Sequence, residues 1–247
     1  MSLVTTPAIE YPERDGQPMS DNTLQFTWIS IIKWGLEGVF RNRSDVFVAG
    51  DLLWYPVEGN NKLRAAPDAM VVFGRPKGDR WSYLQWLEED IAPQVAFEVL
   101  SPGNRPLEMV KKRRFYEQHG VEEYYVVDPD TGNLSGWLRQ EGRFQPIENM
   151  KGWISPRLRI RFDLIDDELH ISGPDGKRFL SPLEVIEQRD EVTAERDEVI
   201  AERDEVITER DELVVQRDFE RREKERALAK LAELEAKLKM LGESPKR

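Results

Sequence analysis

From Arg189 onward the chain repeats every seven residues, as "RDEVTAE", "RDEVIAE", "RDEVITE" and "RDELVVQ", and then passes into the less regular "RDFERREKERALAKLAELEAKLKMLG". A seven-residue period fits the winding of a helix and is out of step with the two-residue alternation of a strand, so this segment has one regular structure open to it. Taking Leu231 and Leu238 as heptad position a and Leu234 and Leu241 as d, the register extends backwards without a break. Val192, Val199, Val206 and Leu213 then fall at d, and Arg189, Arg196, Arg203, Arg210 and Arg217 at a. Ile200, Ile207 and Val214 take e, and Glu195, Glu202 and Glu209 take g. Arginine at a weakens a leucine-type seam, although its aliphatic stem can lie along the groove while its head leaves for a glutamate of a partner helix. Residues 183–247 are therefore expected to form a long helix that pairs with a second copy as a coiled coil, with the seam strongest between Ala227 and Leu241. The competing reading is a single solvated helix held by charge pairs three and four residues apart.

The rest of the chain must build its own core. A hydrophobic content of 39% is low for one compact globule of 247 residues and fits a domain with an exposed appendage. No apolar run approaches the roughly 20 residues of a membrane span, and "MSLVTTPAIEYPERDG" lacks the basic flank and apolar stretch of a leader, so no membrane partner and a cytoplasmic location are expected. The chain has no cysteine and only two histidines, His119 and His170. Thiolate sites, cysteine nucleophiles and histidine-rich zinc sites are excluded, and any metal centre must use oxygen ligands, which favours magnesium or manganese. The net charge of -11 is spread along the chain, with 22 Lys+Arg against 28 Asp+Glu in residues 1–185 and 14 against 19 in residues 186–247. Neither part is basic, so contact with phosphate would rest on a local cluster.

The front part reads as mixed α/β. After an arm over residues 1–22, apolar residues at helical spacing predict a helix from Leu24 to Phe40. "DVFVAGDLLWYPVEGN" is strand-like and ends in a turn, and "LRAAPDAMVVFG" supplies a second strand after Pro67. "QVAFEVL" is apolar on both faces, as in a central strand covered on both sides. A helix from Pro106 to His119, stopped at Gly120, a strand at "EEYYVVDP" and a hairpin over "LSGWLRQEGRFQPI" follow, and short strands and turns are expected from Trp153 to Leu180.

Within that pattern Glu98 is out of place, because a carboxylate between Phe97 and Val99 is costly to bury unless paired or metal-bound. Asp68 stands at the entrance of the preceding apolar strand, and pairing of the two strands would bring both acids to one sheet edge. Lys111 and Lys112, on the helix after Glu98, can fold back over the strand end. Two carboxylates and a lysine around a hard cation suit phosphodiester cleavage: the cation polarises the phosphate and acidifies a water, and the lysine stabilises developing charge. Each piece also has a plainer role: Asp68 as a turn residue, Glu98 as the buried partner of a lysine, and "KKRR" as a solvated helix face. Tyr116, Tyr124 and Tyr125 read as packing residues, and the tryptophans of "DRWSYLQWLEED" as a loop that closes over the site or packs it.

The ordered strings "PDAMVV", "FEVLSPGNR" and "KKRRFYEQHGVEEYYVVDP" resemble the Uma-type family of restriction-endonuclease-like proteins, within the PD-(D/E)xK nuclease superfamily, over residues 23–175. The resemblance implies a restriction-endonuclease-like core over residues 23–182, with a central mixed sheet flanked by helices. It implies metal-dependent hydrolysis of nucleic acid, most of all DNA, with Asp68 and Glu98 as magnesium or manganese ligands. The family's lysine four residues before a tyrosine corresponds to Lys112, before Tyr116. Where the superfamily motif places a lysine two residues after the glutamate, this chain has Leu100, so Lys112 would supply the ammonium from the helix. A further acid on the first helix corresponds to Glu37, and Asp51 is a second additional candidate. A homodimer through the tail would suit cleavage of two strands. The alternative is a binding head that has lost turnover, carried on a coiled-coil stalk.

Overall fold

The computed structural model describes residues 9–13, 16, 20–104, 106–165 and 168–242; the arm expected over residues 1–22 lies largely outside them. The chain divides into two compact units, Met1–Val185 and Ile186–Arg247. In chain order the first contains α1 (Thr23–Val39), β1 (Val46–Ala49), β2 (Trp54–Tyr55), β3 (Ala69–Phe73) and β4 (Tyr83–Leu84). Then come β5 (Val95–Val99), α2 (Pro106–Gln118), β6 (Glu123–Asp128), β7 (Asn133–Gln140) and β8 (Arg143–Pro146). It closes with β9 (Trp153–Ile154), β10 (Arg161–Ile165) and β11 (Glu168–Ser172), and α3 (Pro182–Gly242) runs on through the second unit.

Six strands form a mixed central sheet in the order β1-β3-β5-β6-β7-β8. Within this sheet only β5 and β6 pair in parallel, and α2 is the crossover between them. Parallel neighbours need such a connection, because a tight hairpin can only reverse the chain. The apolar character of "QVAFEVL" has the expected cause: all of β5 is buried, with one core on each face of the sheet. On one side, Val95, Phe97 and Val99 meet Ile29, Ile32 and Leu36 of α1, together with Phe162 and Ile171 of the small sheet β11-β10-β9. On the other, Ala96 and Met70 lie with Tyr116 of α2, Tyr124 and Trp54. Helix α1 is fixed at its start by Asn22, whose side chain accepts the Gln25 N–H at 2.8 Å. It presses so closely on the chain after β11 that a Cβ at Gly35 would stand 2.1 Å from the Phe179 ring. At the end of α2, Gly120 takes φ +96°, the left-handed turn that the sequence led one to expect there.

The segment "DVFVAGDLLWYPV" corrects the sequence reading. It is not one strand, because Asp51 adopts φ +46° and its N–H bonds to the Asp68 carbonyl at 3.3 Å, turning the chain out of the sheet. Beyond that turn, β2 pairs instead with β4.

Helix α3 opens with a capping box. Ser181 Oγ accepts the Glu184 N–H at 3.3 Å and Glu184 returns a bond to the Ser181 N–H at 2.7 Å, with Pro182 at the first helical position where no donor is needed. Its valines and leucines from Leu183 to Leu238 are exposed. Among the described residues, no helix is long and apolar enough to cross a membrane.

Candidate active site

Asp68 and Glu98 come together through strand register. β3 and β5 are antiparallel with Ala69 opposite Phe97, so one step further sets Asp68 opposite Glu98. Directly opposed residues project from the same face, here the face covered by α2. One more step sets Pro67 opposite Val99, where the ladder fails because proline has no N–H. Two side chains complete it. The Asp68 carboxylate accepts the Val99 N–H at 2.6 Å, and the Gln25 amide of α1 donates to the Val99 carbonyl at 2.8 Å.

Lys112 and Tyr116, four residues apart on α2, share one helix face and close on the same carboxylate. The Lys112 ammonium lies 2.6 Å from Glu98 Oε2, and the Tyr116 hydroxyl donates to Glu98 Oε1. Lys111 is exposed. Asp68 is 8% exposed and Glu98 2%, whereas the Lys112 side chain keeps 24% of its surface at the mouth of the site.

Burial, and then the neighbouring Glu98, push the Asp68 carboxyl well above the usual carboxylate range; Lys112 and the Val99 N–H oppose the shift, and Asp51 adds to it. For Lys112, burial works against the charged form, but Glu98 and Asp68 outweigh it and the ammonium is pushed up to about 12. Two carboxylates held together against their repulsion, with one cation between them and the helix, form a site that gains from added positive charge.

Asp68 and Lys112 open onto a cleft of about 460 Å³ that is also lined by Asp51, Arg64, Gln25 and Asp21. Asp51 therefore shares the cleft with Asp68. Glu37 does not: its carboxylate pairs with Lys77 at 2.9 Å and Lys33 at 3.7 Å. It stands three turns along α1 from Gln25, about 18 Å at 1.5 Å per residue. Beside the cleft, the Ser101 N–H donates to Asn104 Oδ1 at 2.6 Å and the Ser101 hydroxyl donates to Asp21, which ties the loop after β5 to the start of α1. The tryptophans of "DRWSYLQWLEED" are not on this cleft; Trp86 packs on Tyr11, and Trp81 is exposed.

Tyr116, read from the sequence as a packing residue, also holds Glu98. Its place one helical turn after Lys112 carried that information. Gln25 and Arg64 carried no comparable signal, because each reaches the site from a remote part of the chain.

A family model named Uma2 and described as "Putative restriction endonuclease" matches residues 15–160, more than half of the chain. The chain belongs to the Uma2 family. The matched segment spans α1 to β9 and contains every residue of the cleft described above. No curated protein matches this Uma2 chain. Among solved structures it is similar to a "putative nuclease belonging to DUF820" from Anabaena variabilis, at 16% identity and a TM-score of 0.43, over 60% of this chain and 84% of that one.

The donor set can be weighed against a divalent cation. Among the described residues, no group of three or more acidic or histidine side chains is arranged as a cage. Magnesium does not require one, since it is commonly held by one or two carboxylates and keeps several waters. Asp68 and Glu98 supply that pair, all of it oxygen. The single hydrogen bond that Asp68 receives among the described residues leaves its other oxygen without a donor.

Proposed function

We propose that this protein is a magnesium- or manganese-dependent endonuclease that hydrolyses phosphodiester bonds in nucleic acid, with DNA as the first substrate to test. The observation that carries the proposal is the convergence of Asp68, just before β3, Glu98 of β5 and Lys112 of the crossover helix, with Asp68 and Lys112 lining one cleft and Glu98 buried against Lys112. Membership of a family described as "Putative restriction endonuclease" supports it.

In this reading Asp68 and Glu98 hold the cation. When bound, it would supply Lewis acidity toward the phosphate and lower the pKa of an adjacent water. Lys112, whose ammonium is pushed up to about 12, stays protonated at neutral pH. It is therefore a donor and not a base, suited to the negative charge that grows on the phosphate in the transition state. Arg64, on the same cleft, offers a second donor for a phosphate of the polymer. Tyr116 orients Glu98, and Gln25, through Val99, orients the backbone that anchors Asp68. The heptad tail is proposed to join two copies of the chain.

One observation favours a different reading, a nuclease-type head that binds without turnover: both oxygens of Glu98 already have partners within the protein. Calorimetric titration of manganese into the wild type and the Glu98→Ala and Asp68→Asn variants separates the two, with cleavage of plasmid DNA, single-stranded DNA and RNA followed in parallel. Binding that both variants lose, together with cleavage of any substrate, supports the nuclease. No binding by the wild type would leave Glu98 as a structural charge and favour the binding head.

A further inference from the structure

We infer that the tail helices of two chains pair antiparallel, acidic half against basic half. This rests on the proposal that the tail joins two copies, and it fixes how they join.

The charge along α3 is lopsided. Residues 184–220 carry five arginines and fifteen acidic residues, whereas residues 221–239 carry seven basic residues and four glutamates. A parallel, in-register pair would lay like on like along the whole seam. Position a would face its own copy, so Arg189, Arg196, Arg203, Arg210 and Arg217 would each meet a second arginine, and at d Glu220 would meet Glu220. Like charges facing each other in a seam are destabilising, and in the parallel pair they would recur at every a layer from Arg189 to Arg217.

Antiparallel pairing brings a opposite d and removes every one of these clashes. Setting Arg217 of one helix against Leu213 of the other fixes the remaining layers by the heptad count. Arg210 then meets Glu220, which is the acid that otherwise interrupts the apolar d series. Leu231 meets Val199 and Leu238 meets Val192, so the leucine-rich end covers the valine-rich end. On the rims, where g faces g in this orientation, Glu195 comes level with Lys237 and Glu202 with Lys230. The side chains are free to do this: Val192, Val199, Leu231 and Leu238 are all more than half exposed on the helix. The arginine heads are drawn to the next aspartate, as in Arg203 with Asp204 at 2.8 Å.

The orientation has a mechanical consequence. At 1.5 Å per residue, the points where the two heads join the rod are on the order of 100 Å apart.

The absence of cysteine makes the test clean. Full-length Val199→Cys and Leu231→Cys chains are oxidised separately and after mixing, with the masses of the reduced proteins followed by sedimentation. The expected result is a dimer in sedimentation, a disulfide formed in the mixture, and none in either variant alone, where like residues would lie about 48 Å apart along the axis. A disulfide within one variant alone means parallel pairing and overturns the inference while sparing the dimer. A dimer with no mixed disulfide overturns this alignment, and a monomer overturns the pairing itself.

Discussion

Replacing Lys112 with methionine keeps most of the length of the side chain but removes the one cation bonded to Glu98 among the described residues, leaving a carboxylate 2% exposed with the Tyr116 hydroxyl as its remaining partner there. The rise of the Lys112 pKa from 10.5 to about 12 means that its surroundings favour the ammonium by about 2 kcal/mol. Stranding one member of a fully buried pair costs about 3–5 kcal/mol, and the partial exposure of Lys112 at the cleft mouth places this case near the lower end. The expected loss is about 2–3 kcal/mol, or roughly 5–10 °C in Tm for a unit of this size. Because folding raises the lysine pKa, this stabilisation is complete below about 10.5 and is lost as pH rises through about 12, so the loss is read in full at neutral pH. The assay is urea unfolding followed by tryptophan fluorescence: all seven tryptophans lie at or before residue 153, so the signal reports the first unit without the tail. Adding Glu98→Gln to Lys112→Met should recover most of the loss, because a neutral amide needs no ion partner. Manganese should raise the Tm of Lys112→Met more than that of the wild type, since it would replace the missing charge. A Lys112→Met chain as stable as the wild type, or a double variant no better than the single one, would refute the ion-pair argument.

Asp68→Asn keeps an acceptor for the Val99 N–H and removes the charge that burial and Glu98 disfavour. Folding raises the Asp68 pKa, so its contribution to stability is present at acid pH and is lost as pH climbs through the folded value. The variant should therefore exceed the wild type in urea midpoint at pH 8 by more than at pH 5, and a lower midpoint at pH 8 would contradict the assigned cause. Tyr116→Phe preserves the ring contacts with Trp54 and Tyr124 but strips one donor from a buried carboxylate, at an expected cost of about 1.5–3 kcal/mol in the same assay. Gln25→Leu leaves the buried Val99 carbonyl with no donor where Pro67 supplies none, and should cost about 1–3 kcal/mol and weaken manganese binding in calorimetry.

Local sequence patterns determine much of this protein. A seven-residue repeat can only be a helix, and the tail is one from Pro182 to Gly242. An apolar run with no polar face belongs to a central strand, and β5 is covered on both sides. Glu98 stood out because nothing apolar can satisfy a carboxylate. Such conclusions need only one segment's own periodicity and the cost of desolvation, whereas the choice of Lys112 over Lys111 was implied by the family resemblance. The tertiary structure alone decided matters that depend on which remote segments meet. It placed Glu37 with Lys77 and away from the cleft, and turned Asp51 out of its strand toward Asp68. It brought Gln25 across from the first helix to the carbonyl that Pro67 leaves without a donor, and gave Tyr116 a carboxylate to hold. No spacing in a linear chain encodes those meetings, because they follow from how the sheet orders its strands and how its covering helices pack on them.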